Sequence, residues 1–230
     1  MRVLGIDTST LMTTCAVMED ENLLGEFSLS LDMSHSEALV PMIRQLMDNL
    51  KLKINDIDLF AVASGPGSFT GLRIGLATAK SFAHVTGKPL VGVSSLETLS
   101  MALPYQPLVA AMMDARRDRV FTGVYRMEEY PEALLSPDAI PVDELIDYLK
   151  GLDGNVILVG DGAVAYRDKF RSALGDKAVF APGHLNLSSG SAVCKLGSRK
   201  YREGHIDDIF IMAPDYLRDS QAQRTLKDKR

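Results

Sequence analysis

The chain has 230 residues, 46% hydrophobic and 24% charged, enough to bury a substantial core in one large domain or two small ones. No run approaches the roughly 20 apolar residues of a membrane span, and strand-like sequence starts at once with MRVLGID, so no secretory leader is expected. A net charge of -5 excludes a broad basic footprint for nucleic acid, and Cys15 and Cys194 suit neither a disulfide framework nor a zinc site, so a reducing cytoplasm and no membrane contact are expected.

RVLGID, TTCAVME and LLGEFSLSL alternate with turns and predict a three-stranded antiparallel meander. In SHSEALVPMIRQLMDNLK, Ser34 and Glu37 have capping-box spacing and Leu39, Ile43, Leu46, Met47 and Leu50 share one helical face, while Pro41 predicts a detached first turn or a kink. IDLFAVASG then reads as a strand covered on both faces, feeding the glycine turn and helix of GPGSFTGLRIGLATAKSFA. PLVGVS adds a strand and SLETLSMAL a helix, and PYQP at 104–107 marks a hinge between domains at 1–103 and 104–213.

The second half starts over. PLVAAMMD and RVFTGVYRM flank a charged turn, a weaker strand follows near 133–135, and a helix covers Val142 to Lys150. NVILVGDG gives a strand and glycine turn, AVAYRDKFRSAL a helix, AVFA a strand, and SSGSAVCKLGSRKYREG a helix stopped by Gly204. Both halves thus read as meander, helix, strand and helix, a doubled α/β topology without evident sequence identity. A tail at 214–230 is expected to dock at its apolar start and fray at its end, where Arg224, Lys227, Lys229 and Arg230 cluster.

The GPGSFTG loop matches neither nucleotide fingerprint. Leu72 and Arg73 stand where a Walker lysine and hydroxyl belong, and Gly65, Gly67 and Gly71 are spaced one residue too long for GxGxxG. An anion could rest on the helix start near Ser68, Thr70 and Gly71, with Arg73 one turn in. The same helix carries a stripe of small residues, Gly67, Gly71, Gly75, Ala79 and Ala83. A mid-helix glycine costs about 0.8–1.0 kcal/mol relative to alanine, so Gly75 predicts a closely packed neighbour: the chain's own sheet or, as the favoured reading, another protein's helix.

Asp7, followed by Thr8, Ser9 and Thr10, ends the first strand, and Asp114, followed by Arg116, Arg117 and Asp118, ends its counterpart. Such carboxylates can orient magnesium and phosphates across a cleft, or simply form turns. His35, His84, His184 and His205 show no zinc spacing, and there is no GxSxG elbow.

With GIDTST, HSEALVPMI, GPGSFTGLRIG and MMDARRDRVF in this order, the chain closely resembles the bacterial TsaB family, also called YeaZ, from Met1 to about Tyr216. The resemblance implies a two-lobed α/β fold of the actin-like ATPase, sugar-kinase and Hsp70 type. It also implies work in making N6-threonylcarbamoyladenosine beside the anticodon of tRNAs that read codons beginning with A. There, TsaD transfers threonylcarbamoyl from an adenylate made by a separate synthase, the ATPase TsaE assists, and TsaB is a noncatalytic scaffold that meets tRNA indirectly, through the complex. The relative TsaD carries HxxxH after the corresponding strand, where this chain has Ser95 and Leu99 around Glu97; no metal is expected. Where relatives hold adenosine on a glycine pair, Gly160 and Gly162 are separated by Asp161, so no cofactor of its own is expected, and any ATP or ADP is expected at an interface with partners.

The expected interface packs residues 36–51 and 70–84 against equivalent helices of TsaD or of a second copy. Leu39, Met42, Ile43, Leu46 and Met47 contribute from the first helix, with Met42 and Met47 exposed, and Gly71, Leu72, Gly75, Ala79 and Phe82 from the second. Two other readings are a free-standing ATPase or kinase that holds magnesium nucleotide between Asp7 and Asp114, and a metallopeptidase, for which the ligands are missing.

Overall fold

The apolar runs at the N-terminus form β1 (Arg2–Asp7), β2 (Thr13–Glu19) and β3 (Asn22–Leu29) in the computed structural model, which describes residues 1–30, 35–103 and 108–217. β1 pairs antiparallel with β2, placing Ile6 opposite Cys15, and β2 continues the meander into β3. β4 (Leu59–Gly65) and β5 (Leu90–Ser94) add in parallel, giving the order β3-β2-β1-β4-β5. β1, β2 and β4 are covered on both faces, which is why they read as near-continuous apolar runs.

The second sheet repeats this plan. β6 (Leu108–Asp114), β7 (Arg119–Met127) and β8 (Pro131–Pro141) form a meander, and β9 (Val156–Val159) and β10 (Ala178–Phe180) add in parallel, in the order β10-β9-β6-β7-β8. β8 is longer than the short strand expected near 133–135. Its register slips between Asp138 and Leu135, so Ser136 and Pro137 fall in the irregular step, where a proline costs no ladder bond.

α1 (His35–Leu50) is continuous through Pro41, whose side faces solvent; Ser34, the expected cap, lies outside the described residues. Ser68 caps α2 (Phe69–Thr86) by accepting from the Gly71 amide, and Gly87 ends it in the left-handed region at φ 66°. α3 (Ser95–Ser100) and α4 (Val142–Lys150) follow as expected. The single helix expected at 163–174 is instead two, α5 (Asp161–Ala165) and α6 (Arg167–Leu174), broken at Tyr166, whose φ of -112° leaves the helical region and whose hydroxyl donates to Asp114 at 3.0 Å. α7 (Gly190–Arg202) closes the regular structure.

Helices cross between the halves. α1 and α2 cover one face of the first sheet, but its other face is covered by α7 from the second half, with Val193, Cys194 and Leu196 against Val3, Ala16, Ala61 and Val91. In return, Leu96 and Leu99 of α3 pack with Val109, Ala111, Tyr125 and Val159 of the second sheet. The hinge expected at 104–107 lies outside the described residues.

After α7 the chain returns as a strap. The Asp207 amide donates to Leu90 O at 2.9 Å, its carboxylate accepts from the Gly92 amide at 2.8 Å, and the Asp215 amide donates to Ser64 O at 2.7 Å. Part of the open edge of β5 is thereby satisfied, which removes a template for unwanted strand pairing. The basic residues Arg224, Lys227, Lys229 and Arg230 lie outside the described residues.

Candidate functional site: the α1–α2 face and the interlobe cleft

The small stripe of α2 is filled from within. A Cβ at Gly71 would stand 2.0 Å from Thr8 O, and one at Gly75 would stand 2.4 Å from Thr8 Oγ1. The turn after β1 therefore occupies the stripe, and Ser9 O accepts the Ser68 amide at 2.7 Å just beyond it. This corrects the expectation that another protein's helix fills the groove: the close approach that offsets the Gly75 cost is intramolecular and comes from the Thr8 side chain.

The interface residues expected from α1 are corrected too. Met42 and Met47 are only 6% and 5% exposed, and with Leu39, Ile43 and Leu46 they pack onto the first sheet. Leu72 and Ala79 are equally buried, and Phe82 stacks on Phe60 with centroids 5.9 Å apart. The periodicity of these positions marks the side facing the sheet, and amphipathic helices turn that side inward. The outward faces of the same two helices carry Val40, Pro41, Arg44 and Gln45 on α1, and Phe69, Arg73, Ala77, Ser81, His84 and Val85 on α2. Val85 is 80% exposed, and Ala77 and Ser81 are small enough to admit a close-packed partner helix.

One contributor to this surface escaped sequence reasoning. In the strap, Phe210 and Ile211 are largely exposed, and the Phe210 ring meets His84 edge-on at 5.8 Å. Met212 O accepts from Lys80 Nζ at 2.9 Å, and Tyr216 stacks on Phe69 in the first turn of α2. The apolar start IFIM was the available signal, since such a run beside polar sequence has reason to dock.

Between the lobes lies a cleft of about 250 Å³. It brings together Ser9, Thr10, His35, Ser68, Asp114, Arg116 and Asp161, but of the expected anion contacts Asp7, Thr70 and Arg73 do not line it. Asp7 is 1% exposed; its Oδ1 accepts from the Ser9 amide at 2.7 Å and its Oδ2 from the Ser188 hydroxyl. Burial raises its carboxyl above the ordinary value, opposed by the Ser188 and Ser9 hydrogen bonds. Asp114 is also engaged, by the Arg116 amide at 2.8 Å, the Tyr166 hydroxyl at 3.0 Å and an ion pair with Arg116 Nη1 at 3.1 Å. Arg116, Arg117 and Asp118 all have φ between 53° and 63°, a left-handed turn that costs non-glycine residues conformational energy.

The glycine pair at the start of α5 serves packing. A Cβ at Gly160 would lie 2.1 Å from Met112 O, so this turn is pressed onto β6. At the positions of the TsaD metal pattern, Ser95 is buried with its hydroxyl unpartnered among the described residues, and Leu99 belongs to the core. Burial pushes the Glu97 carboxyl up, while Lys200 and Arg199 pull it down. Among the described residues, no three His, Cys, Asp or Glu side chains converge as a metal site, and no helix is long and apolar enough to cross a membrane.

Two sheets of matching strand order, with helices on their faces and a cleft between them, define the two-lobed α/β fold of actin-like ATPases and sugar kinases. Residues 24–226 match the family model for TsaD, tRNA N6-adenosine threonylcarbamoyltransferase. The tRNA threonylcarbamoyladenosine biosynthesis protein TsaB of Bacillus subtilis is 30% identical, covering 97% of this chain and 96% of its own length. Its counterpart in Escherichia coli is 28% identical over the whole of both chains. YeaZ from Pseudomonas aeruginosa superposes with a TM-score of 0.80 at 24% identity, covering 94% of this chain and 99% of that one. The chain belongs to the TsaB family, also called YeaZ, and carries its TsaD-like domain.

Proposed function

We propose that this chain is a noncatalytic scaffold subunit in the cytoplasmic synthesis of N6-threonylcarbamoyladenosine on tRNAs that read codons beginning with A. It pairs with a TsaD-type transferase, works with a TsaE-type ATPase, and meets tRNA indirectly, through that complex. The observation that carries the reading is the outward face of α1 and α2, where Phe69, Ala77, Ser81 and Val85 on α2 and Val40 on α1 are small or apolar and exposed. The enclosed carboxylate of Asp7 and the core position of Leu99 agree with a subunit that lends a surface rather than reacting groups. In the absence of the transferase, the same face is available to a second copy of the chain.

The test is reconstitution of tRNA modification from the synthase, the TsaD-type and TsaE-type proteins and this chain. Omitting the chain is expected to abolish product, and Ala77→Arg to lower both product and complex formation while leaving the melting midpoint unchanged. Undiminished modification without the chain overturns the proposal. Gly75→Leu is unsuitable as an interface probe, because its side chain would collide with Thr8 inside the monomer.

A further inference from the structure

Arg73 is held in a fixed attitude at the start of α2. Its guanidinium carbon lies 3.8 Å from the centroid of the Phe69 ring, and its Nε donates to the Tyr216 hydroxyl at 2.9 Å. The Phe69 and Tyr216 rings stack at 4.7 Å with an interplanar angle of 25°, and Tyr216 is fixed in turn by the neighbouring bond from the Asp215 amide to Ser64 O. Arg73 is exposed, yet among the described residues it forms no ion pair. With Nε engaged and one face on an aromatic ring, the terminal nitrogens present their N–H donors from a plane already set.

We infer that Arg73 reads a carboxylate side chain of the protein partner, with Tyr216 of the strap as its positioning residue. The inference rests on the reading that the α1–α2 face receives a TsaD-type protein. A planar fork of donors matches a two-oxygen acid, and a fork immobilised before binding loses less side-chain entropy on contact. Arginine flanked by half-exposed aromatic rings is also the composition of an interface hot spot. The source is protein rather than RNA, because the neighbouring cations Lys80 and Arg44 are engaged within the chain, on Met212 O and Asp48, the outward positions Ala77, Ser81 and Val85 carry no charge, and the chain's net charge is -5.

The experiment measures affinity of the full chain for its TsaD-type partner by calorimetry, and for tRNA alone by filter binding. Arg73→Lys keeps the charge but loses the fork, and is expected to weaken the protein complex roughly tenfold or more with the melting midpoint unchanged. Tyr216→Phe is expected to weaken it several-fold in the wild-type background and not at all in the Arg73→Lys background, the non-additivity that marks action through Arg73. Complexes of Arg73→Lys and Arg73→Ala within about twofold of wild type overturn the inference and leave the functional reading standing. An equal Tyr216→Phe penalty in both backgrounds overturns the positioning role. Loss of tRNA affinity in Arg73→Ala with the protein complex intact overturns the carboxylate in favour of phosphate. No complex with the wild-type chain overturns the functional reading, and this inference with it.

Discussion

The hydroxyl of Thr8 donates to the carbonyl of Gly71 at 2.7 Å, fastening the turn after β1 into the small-residue stripe of α2. Gly71→Ala would bring a Cβ to 2.0 Å from a backbone oxygen that cannot swing aside, so a loss of about 2 kcal/mol is expected in urea unfolding. Gly75→Ala meets the Thr8 hydroxyl instead, and its smaller cost should fall by about 1 kcal/mol in a Thr8→Ala background. A Gly71→Ala chain as stable as wild type would show that Thr8 does not close the stripe.

Asp7 makes stability depend on pH with a definite sign. Burial raises its folded-state pKa above the unfolded value, so its contribution is fully present below the unfolded pKa of about 3.9 and is lost as pH rises through the folded one. Asp7→Asn keeps an acceptor oxygen for the Ser9 amide, turns an NH2 toward the Ser188 hydroxyl, which can rotate to accept, and cannot ionise. The expected outcome is that the variant gains on wild type in unfolding free energy between about pH 4 and pH 7. A constant difference across that range would contradict the raised pKa.

Both cysteines should be inert in the folded chain. Cys15 and Cys194 are fully buried; burial, with Glu26 nearby, pushes the Cys15 thiol up to about 12, and burial raises Cys194 as well. Since the thiolate is the reactive species, iodoacetamide at mildly alkaline pH should modify neither site in native protein and both in denaturant, as read by mass spectrometry. Modification of native protein at the denatured rate would refute this.

The strap should be removable without unfolding the lobes. Asp207→Ala deletes the acceptor of the Gly92 amide and is expected to cost about 1 kcal/mol. Amide exchange should accelerate at Gly92 and at Asp215, while the central strands β1 and β4 stay protected. Uniform acceleration throughout the chain would instead place the strap inside the cooperative core.

Much of the architecture was legible because it is periodic. The spacing of Leu39, Ile43, Leu46 and Met47 specified a helix with one apolar face, and the alternation of apolar runs with turns specified two meanders of the same kind. The break at Tyr166 was not legible, since it answers to a hydrogen bond with Asp114, 52 positions away. Nor was the direction of the apolar faces. Periodicity shows that Met42 and Met47 share a side, but burial against a sheet and burial against a partner leave the same pattern, and only the position of the first sheet separates them.

By itself, then, the sequence determined what local chemistry can encode: the order of strands and helices, the doubled topology, the mismatch of GPGSFTG to both nucleotide fingerprints and the need for a close neighbour along α2. Tertiary structure decided who that neighbour is. Thr8 stands 67 positions before Gly75, and their contact exists only because β1 lies beside β4, which leads into α2. The strap and Arg73 follow the same rule: Tyr216 reaches a helix 143 positions away, a pairing set by packing rather than by any repeat in the chain.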